Sequence, residues 1–336
     1  MMRSVTSRGA RGFSLVELMI ALVLGLIVTG AVLATFAANS RTYAASESLG
    51  RVQENARATF ELMSRDIREA AGNICNSKLI PVNVVNNFAT SPYTDFAGGL
   101  SGSDVLAGGF QRDTLVLKSA IDGGLTVDAD NSTNVNIDTD EDATALKNGD
   151  IVLVCDPEVA AIFQVTNPPT VNGNIKIQVS NSDVPGNSTN CLAADGNCGN
   201  GSLKRYAFGC QAGTFQNGKC KNGQIPSFIS KLTSMSWYLA NGSKNGTSLY
   251  RRLDGPTPLV AEVAEGVIGM ELEYLVDTSY KTATVVQAAD SWKNVRAIRV
   301  RLTFEGEDRS AATGATGQGL RRTVAYTVAL RNRLND

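Results

Sequence analysis

From Phe13 to about Ala38 the chain is almost wholly apolar, and Glu17 is its single ionisable side chain. About 26 residues rising ~1.5 Å each make a helix of roughly 39 Å, enough to cross the ~30 Å hydrocarbon core of a bilayer. A basic dozen residues, Met1 to Gly12 with Arg3, Arg8 and Arg11, precedes this run. Cationic flanks stay on the cytoplasmic side, so everything after the apolar run is expected across the membrane. A carboxylate in hydrocarbon costs about 2.5–3.5 kcal/mol on insertion scales, which makes an intramembrane acid a functional hypothesis by default.

Three readings of this stretch compete. An ordinary secretory signal has an apolar region of about 7–15 residues and a small-residue cleavage site after it, which does not fit here. A plain anchor fits the length and leaves Glu17 unexplained. The third reading takes RGFSLVELMI, residues 11–20, as a prepilin-type signal, in which a charge, a glycine and a length are joined. The stretch resembles the N-terminus of type IV pilins and pseudopilins. The resemblance implies that Gly12 is the last leader residue and Phe13 the first mature one. A prepilin peptidase cuts between them on the cytoplasmic side and methylates the new amine of Phe13. Glu17 is then the fifth mature residue.

The helical pattern continues past the apolar run. After a polar interlude, Leu49, Val52, Ala56, Phe60, Met63, Ile67 and Ala70 recur at steps of three and four, an apolar stripe on one helix face. Arg51, Glu54, Arg57, Glu61, Arg65, Asp66, Arg68 and Glu69 are expected on the opposite, solvated face, several at pairing distance. Gly72-Asn73 is the expected C-cap. A helix from Phe13 to about Ala71 runs roughly 88 Å, a length that suits a filament subunit. No proline falls between Phe13 and Pro81, and in the apolar half of the helix Gly25 and Gly30 are the only helix-weakening residues, at about 1 kcal/mol each.

Beyond Gly72, short alternating or apolar runs separated by Gly, Asn, Asp and Pro predict an antiparallel β domain. Leu115–Leu117, Asp150–Cys155, Ala160–Val165 and Ile175–Val179 are expected strands. Met235–Leu239 and Ser248–Arg252 flank two Asn-Gly turn signals. In Val267–Leu275, Ile268, Met270, Leu272 and Tyr274 are expected on one face, with Glu271 and Glu273 on the other. Ala297–Glu305 and Thr323–Arg331 are the clearest strand signals. Arg299 and Arg301 could form a nucleic-acid patch; pairing across strands with Glu271 and Glu273 is preferred.

With 336 residues and 43% hydrophobic content, the chain can bury one core or at most two. The net charge is −1, and without the leader arginines 28 basic face 32 acidic side chains. That is no electrostatic footprint for nucleic acid, and no specific nucleic acid is expected as a partner. Histidine is absent, which removes Ser-His-Asp and Cys-His nucleophiles and every His-containing metal site. No enzyme, cofactor or metal is predicted. Six cysteines follow the apolar run. Cys191, Cys198, Cys210 and Cys220 lie in an Asn/Gly/Ser-rich stretch. Their C-x6-C and C-x9-C spacings are wider than usual zinc knuckles, so two local disulfides, 191–198 and 210–220, are preferred over a zinc site. Cys75 and Cys155 remain as a long-range pair, and other connectivities stay open. Asp138, Asp140 and Asp142 in the acidic stretch 128–142 have the first spacings of a calcium loop. Ala143 and Gly149 stand where that loop needs glycine and glutamate, so a solvated acidic loop is expected there, with an irregular calcium site as the alternative.

Beyond the prepilin signal, GFSLVELMIALVLGLIVTGAVL, RVQENARATFELMSRDIREAAG, GDIVLVCD with AIFQV, and the closing RAIRVRL with VALRNR resemble PilW-type minor pilins. The resemblance covers the first seventy or so residues and scattered later pieces; residues 181–223 lie outside it. It implies an α+β, pilin-like fold, a long N-terminal helix packed on a C-terminal antiparallel β-sheet domain with long loops. Residues 1–12 would be the leader, 13–38 the transmembrane and polymerisation half of the helix, and 39–72 its amphipathic half. Residues 73–336 would form the periplasmic β domain, with a cysteine-stapled loop at 181–223. The implied role is priming of type IV pilus assembly and incorporation at or near the fibre tip, supporting twitching motility and adhesion. The implied partners are the peptidase, the inner membrane, other minor pilins, the major pilin and a large tip adhesin. Two alternatives stand beside it, a J-type pseudopilin of a type II secretion filament and a ligand- or DNA-binding tip subunit.

Overall fold

The computed structural model describes residues 14–72, 75, 79, 81–87, 94, 96, 98–130, 134–137, 146–166, 174–176, 185–189, 192, 208–209, 215–216, 219–220, 226–243, 246–255, 257–306 and 319–333. The fold is α+β: a long N-terminal apolar helix followed by a mostly antiparallel β domain. Helix α1 (Leu15–Glu69) is 55 residues long. In chain order follow β1 (Val82–Asn83), β2 (Leu100–Ser103), β3 (Leu106–Ala107), β4 (Phe110–Gln111), β5 (Thr114–Asp130), β6 (Asn134–Ile137), β7 (Ile151–Cys155), β8 (Ala160–Gln164) and β9 (Asn174–Lys176). The second half adds β10 (Phe215–Gln216), β11 (Lys219–Cys220), β12 (Ser227–Asn241), β13 (Thr247–Asp254), β14 (Leu259–Glu265), β15 (Val267–Val276), β16 (Ser279–Lys281), α2 (Ala283–Ala288), β17 (Val295–Glu305) and β18 (Arg321–Ala329).

Two compact units emerge, one of residues 1–52 with 306–320 and the other of residues 53–305 with 321–336. In the first, the apolar side chains from Leu15 to Phe36 stand open, Leu15 at 75% and Phe36 at 73% exposure. By length and composition this part of α1 can cross a membrane, with a mean hydropathy of 2.5 over its most apolar window.

In the second unit a ten-stranded sheet runs β1-β8-β7-β12-β5-β6-β9, with β13 joined to β12 and β14, and β2 to β5. The long strands β5 and β12 are its spine. The first half of β12 also pairs with β7, and the second half with β13. A second sheet of four strands runs β16-β15-β17-β18. Along β17, Ile298, Val300, Leu302 and Phe304 are all buried, as the alternation predicts. Opposite them, Arg299 and Arg301 pair with Glu273 and Glu271 across β15 at 3.1 and 2.9 Å, so this arginine face is internally matched.

Several expectations are corrected. In β15 a register shift between Val267 and Gly269 turns Val267 inward and leaves Ile268 half-buried; the bulge resets the alternation, which sequence periodicity alone does not show. Part of the 128–142 stretch is strand rather than loop. β5 extends to Asp130 and pairs with β6, Val127 opposite Ile137. Asp138, Asp140 and Asp142 lie outside the described residues. The cap of α1 is also different. Ala71, not Gly72, takes the left-handed conformation at φ 58°, and its amide leaves the helix for the Lys118 carbonyl at 2.8 Å. A long-range bond therefore holds a residue type that rarely adopts this geometry.

Candidate functional site

The prediction rests on Gly12, Phe13 and Glu17. Gly12 and Phe13 lie outside the described residues, and Glu17 falls in the first turn of α1. Ser14 precedes the helix as its N-cap. Its Oγ accepts the Val16 amide at 3.2 Å, and its own amide donates to Glu17 Oε2 at 3.1 Å. Ser-x-x-Glu is a capping box, a motif visible in the sequence that the reading of Glu17 as a bare membrane acid passed over. Glu17 stands about 3 Å along the axis from the start of the helix, where first-turn amides and the helix dipole favour a negative charge. Among the described residues, only Oε2 of Glu17 carries a hydrogen bond.

In the other unit, the last turns of α1 bury Ala56, Met63, Ile67 and Ala70, with Ala70 lining a groove beside Leu117 of the large sheet and Met63 against Tyr326 of β18 in the four-stranded sheet. Tyr326 closes this contact, with its ring edge-on to Phe60 at 4.7 Å and its hydroxyl 3.0 Å from Met63 Sδ. Asp66, expected on the solvated face, is instead buried at 7% exposure. Its Oδ2 accepts the Trp237 indole N–H at 3.0 Å and Arg251 Nε at 2.7 Å, while Oδ1 accepts the other guanidinium nitrogen at 3.0 Å. Trp237 and Arg251 face each other across β12 and β13, so one carboxylate fixes the helix to two neighbouring strands. The three-and-four spacing of the apolar stripe places Asp66 among the charges of the opposite face, and nothing in the sequence points to its partners 171 and 185 residues away.

Cys75 and Cys155 are joined by a disulfide. Cys191, Cys198 and Cys210 lie outside the described residues, and Cys220 is described in its backbone alone, so their chemistry stays at the level of the sequence.

A third cluster joins the two sheets. Asp113 accepts the amides of Leu272 at 2.8 Å and Val105 at 3.1 Å, and its own amide donates to Met270. Burial pushes the Asp113 pKa up against those two amides, and the charges of Asp104 and Glu271 add to the rise. Asp104 accepts the amides of Ala283 and Thr284 at the start of α2. Burial also pushes the Asp104 pKa up, but the bonds from Thr284, Ala283 and Thr282 outweigh it and hold this carboxyl below its ordinary value. The Tyr274 hydroxyl beside them is buried with no hydrogen-bond partner among the described residues, and burial pushes its pKa up strongly, with Asp113 and Asp104 adding to the rise. Sequence reasoning missed this cluster, because isolated Asp residues in turns carry no signal of the strand they will meet.

Comparison with known proteins gives one match. Residues 7–33 fit the prokaryotic N-terminal methylation motif, which marks type IV prepilin-like chains. No curated protein and no solved structure matches the chain. The matched residues include Gly12, Phe13 and Glu17 and end inside the apolar part of α1. The chain thus carries a pilin-type N-terminus on a long apolar helix that suits membrane anchoring.

Proposed function

We propose that the chain is a PilW-type minor pilin that helps prime type IV pilus assembly and enters the fibre at or near its tip, supporting twitching motility and adhesion. The supporting observation is the methylation motif at 7–33, with Glu17 as the fifth residue after the Gly12–Phe13 junction. In this reading the subunit waits in the inner membrane with its β domain in the periplasm, then moves to the cell surface in the pilus. A prepilin peptidase frees and methylates the amine of Phe13. Glu17 of one subunit then meets that amine on a neighbour. The other minor pilins, the major pilin and a large tip adhesin complete its partners.

The capping box gives the carboxylate a resting state. Oε2 is held by the Ser14 amide, while Oε1 has no hydrogen-bond partner among the described residues and can take an incoming ammonium. Breaking a buried charge pair costs about 3–5 kcal/mol, enough to set axial register between helices. Glu17→Gln keeps an amide-accepting oxygen for the cap and loses the charge, whereas Glu17→Ala loses both. Both variants should be processed normally and both should be depleted from sheared filaments relative to the membrane pool. Wild-type incorporation of Glu17→Gln would contradict the proposed pairing.

A further inference from the structure

The chain leaving α1 crosses from one face of the large sheet to the other. Leu117, Ser119, Thr233 and Met235 line a groove together with Asp66 and Ala70 of α1. Ala120, Leu232 and Cys155 belong instead to a buried cluster against which Cys75, Leu79 and Phe96 pack. Alternate residues of a strand face opposite sides, so the helix end and the disulfide lie on opposite faces of one sheet. The crossing point is a gap along β5. β2 pairs with Thr114 to Leu117 and β6 with Val127 to Asp130 on that edge. Between them, Ala71 donates to the Lys118 carbonyl at 2.8 Å and Ala120 donates to the Gly72 carbonyl at 2.9 Å. Gly99 completes the stitch by accepting the Lys118 amide at 2.9 Å. A side chain at Gly99 would collide with Ala71, so close approach requires glycine there.

We propose that this exit is a redox-dependent latch. The chain is threaded through the edge of β5 and bolted behind it to β7, so the end of α1 can leave the sheet only after the Cys75–Cys155 bond is broken. Asp66 holds the helix on the near face, and the disulfide holds the following chain on the far face. Closing the latch moves two electrons and two protons from the two thiols to an external disulfide, which departs as a dithiol. A disulfide-donating oxidant of this class belongs to oxidising compartments, so a rigid joint between helix and sheet forms only where one is present.

The test uses the full chain in detergent micelles and follows amide hydrogen exchange. Oxidised wild type is compared with Cys75→Ala/Cys155→Ala and with wild type reduced in place by a phosphine, reduction being verified by thiol alkylation. The latch predicts that Ala70, Ala71, Gly72 and Ala120 exchange at least about tenfold faster once the bond is absent, as a local opening, while amides of β17 change by less than about threefold. Unchanged exchange at Ala71 and Ala120 overturns it. Equal acceleration throughout both sheets also overturns it, because the disulfide then stabilises only the whole fold. The double variant alone decides the matter if the half-buried bond resists the reductant, and the reduced wild type decides it if the variant does not fold.

Discussion

Replacing Asp66 with alanine removes three hydrogen bonds at once and leaves the three donors of two side chains behind. The Trp237 side chain is fully buried, so its indole N–H loses its acceptor; such a loss costs about 1–3 kcal/mol. The Arg251 side chain keeps 27% exposure and retains partial access to solvent. The 3–5 kcal/mol typical of breaking a buried pair must therefore be discounted for it, and a total of about 2–4 kcal/mol follows. Urea unfolding of the full chain in a mild detergent, followed by tryptophan fluorescence, measures this difference. Trp237 and Trp292 are the two reporters, and a Trp292→Phe background isolates the first. Asp66→Asn should cost less, because one oxygen can still accept the indole. In a double-mutant cycle with Arg251→Met the coupling should reach about 1 kcal/mol or more. A change under about 0.5 kcal/mol for Asp66→Ala, the range of ordinary surface substitutions, would refute the reasoning and return Asp66 to the solvated face.

Three further predictions concern the junction between the sheets. The lowered pKa of Asp104 means that its contribution to stability is present above the ordinary carboxylate value of ~3.9 and lost as pH falls through its folded value. Stability measured from pH 7 to 2 should therefore fall less steeply in Asp104→Asn than in wild type, and parallel curves would contradict that account. Asp113 works with the opposite sign, its raised pKa favouring the fold at low pH and losing that benefit as pH rises through the folded value. Tyr274→Phe removes a buried hydroxyl that has no partner among the described residues and should be neutral or stabilising by up to about 1 kcal/mol in thermal unfolding. Gly102→Ala would put a methyl group against that hydroxyl, so it should be tolerated better in the Tyr274→Phe background than alone.

The helix and the late strands were legible because their signals are local. One apolar run marks the first half of α1, and the stripe through Met63 and Ile67 marks the second. The alternation of Ile298, Val300, Leu302 and Phe304 fixes β17 and its arginine–glutamate pairs. What escaped depends on distant partners. Asp66 reads as a surface charge until Trp237 and Arg251 are brought beside it. Ala71 replaces Gly72 at the helix end because the Lys118 carbonyl holds it. The bulge at Ile268 inverts two side chains, and the glycines that flank it, Gly266 and Gly269, do not by themselves say which residue is displaced. β14, the outer half of β12 and most of β5 mix polar and apolar residues, and only neighbouring strands reveal them. The Ser14–Glu17 box was legible and was overlooked, because a charge in an apolar run draws attention to the membrane before the helix end.

The central claim is that Phe13 begins the mature chain. Mass spectrometry of the protein isolated from cells that make a prepilin peptidase tests it directly. The expected N-terminal peptide starts at a methylated Phe13 and lacks residues 1–12. A chain that still carries those twelve residues, or is clipped beyond the apolar segment, would contradict it.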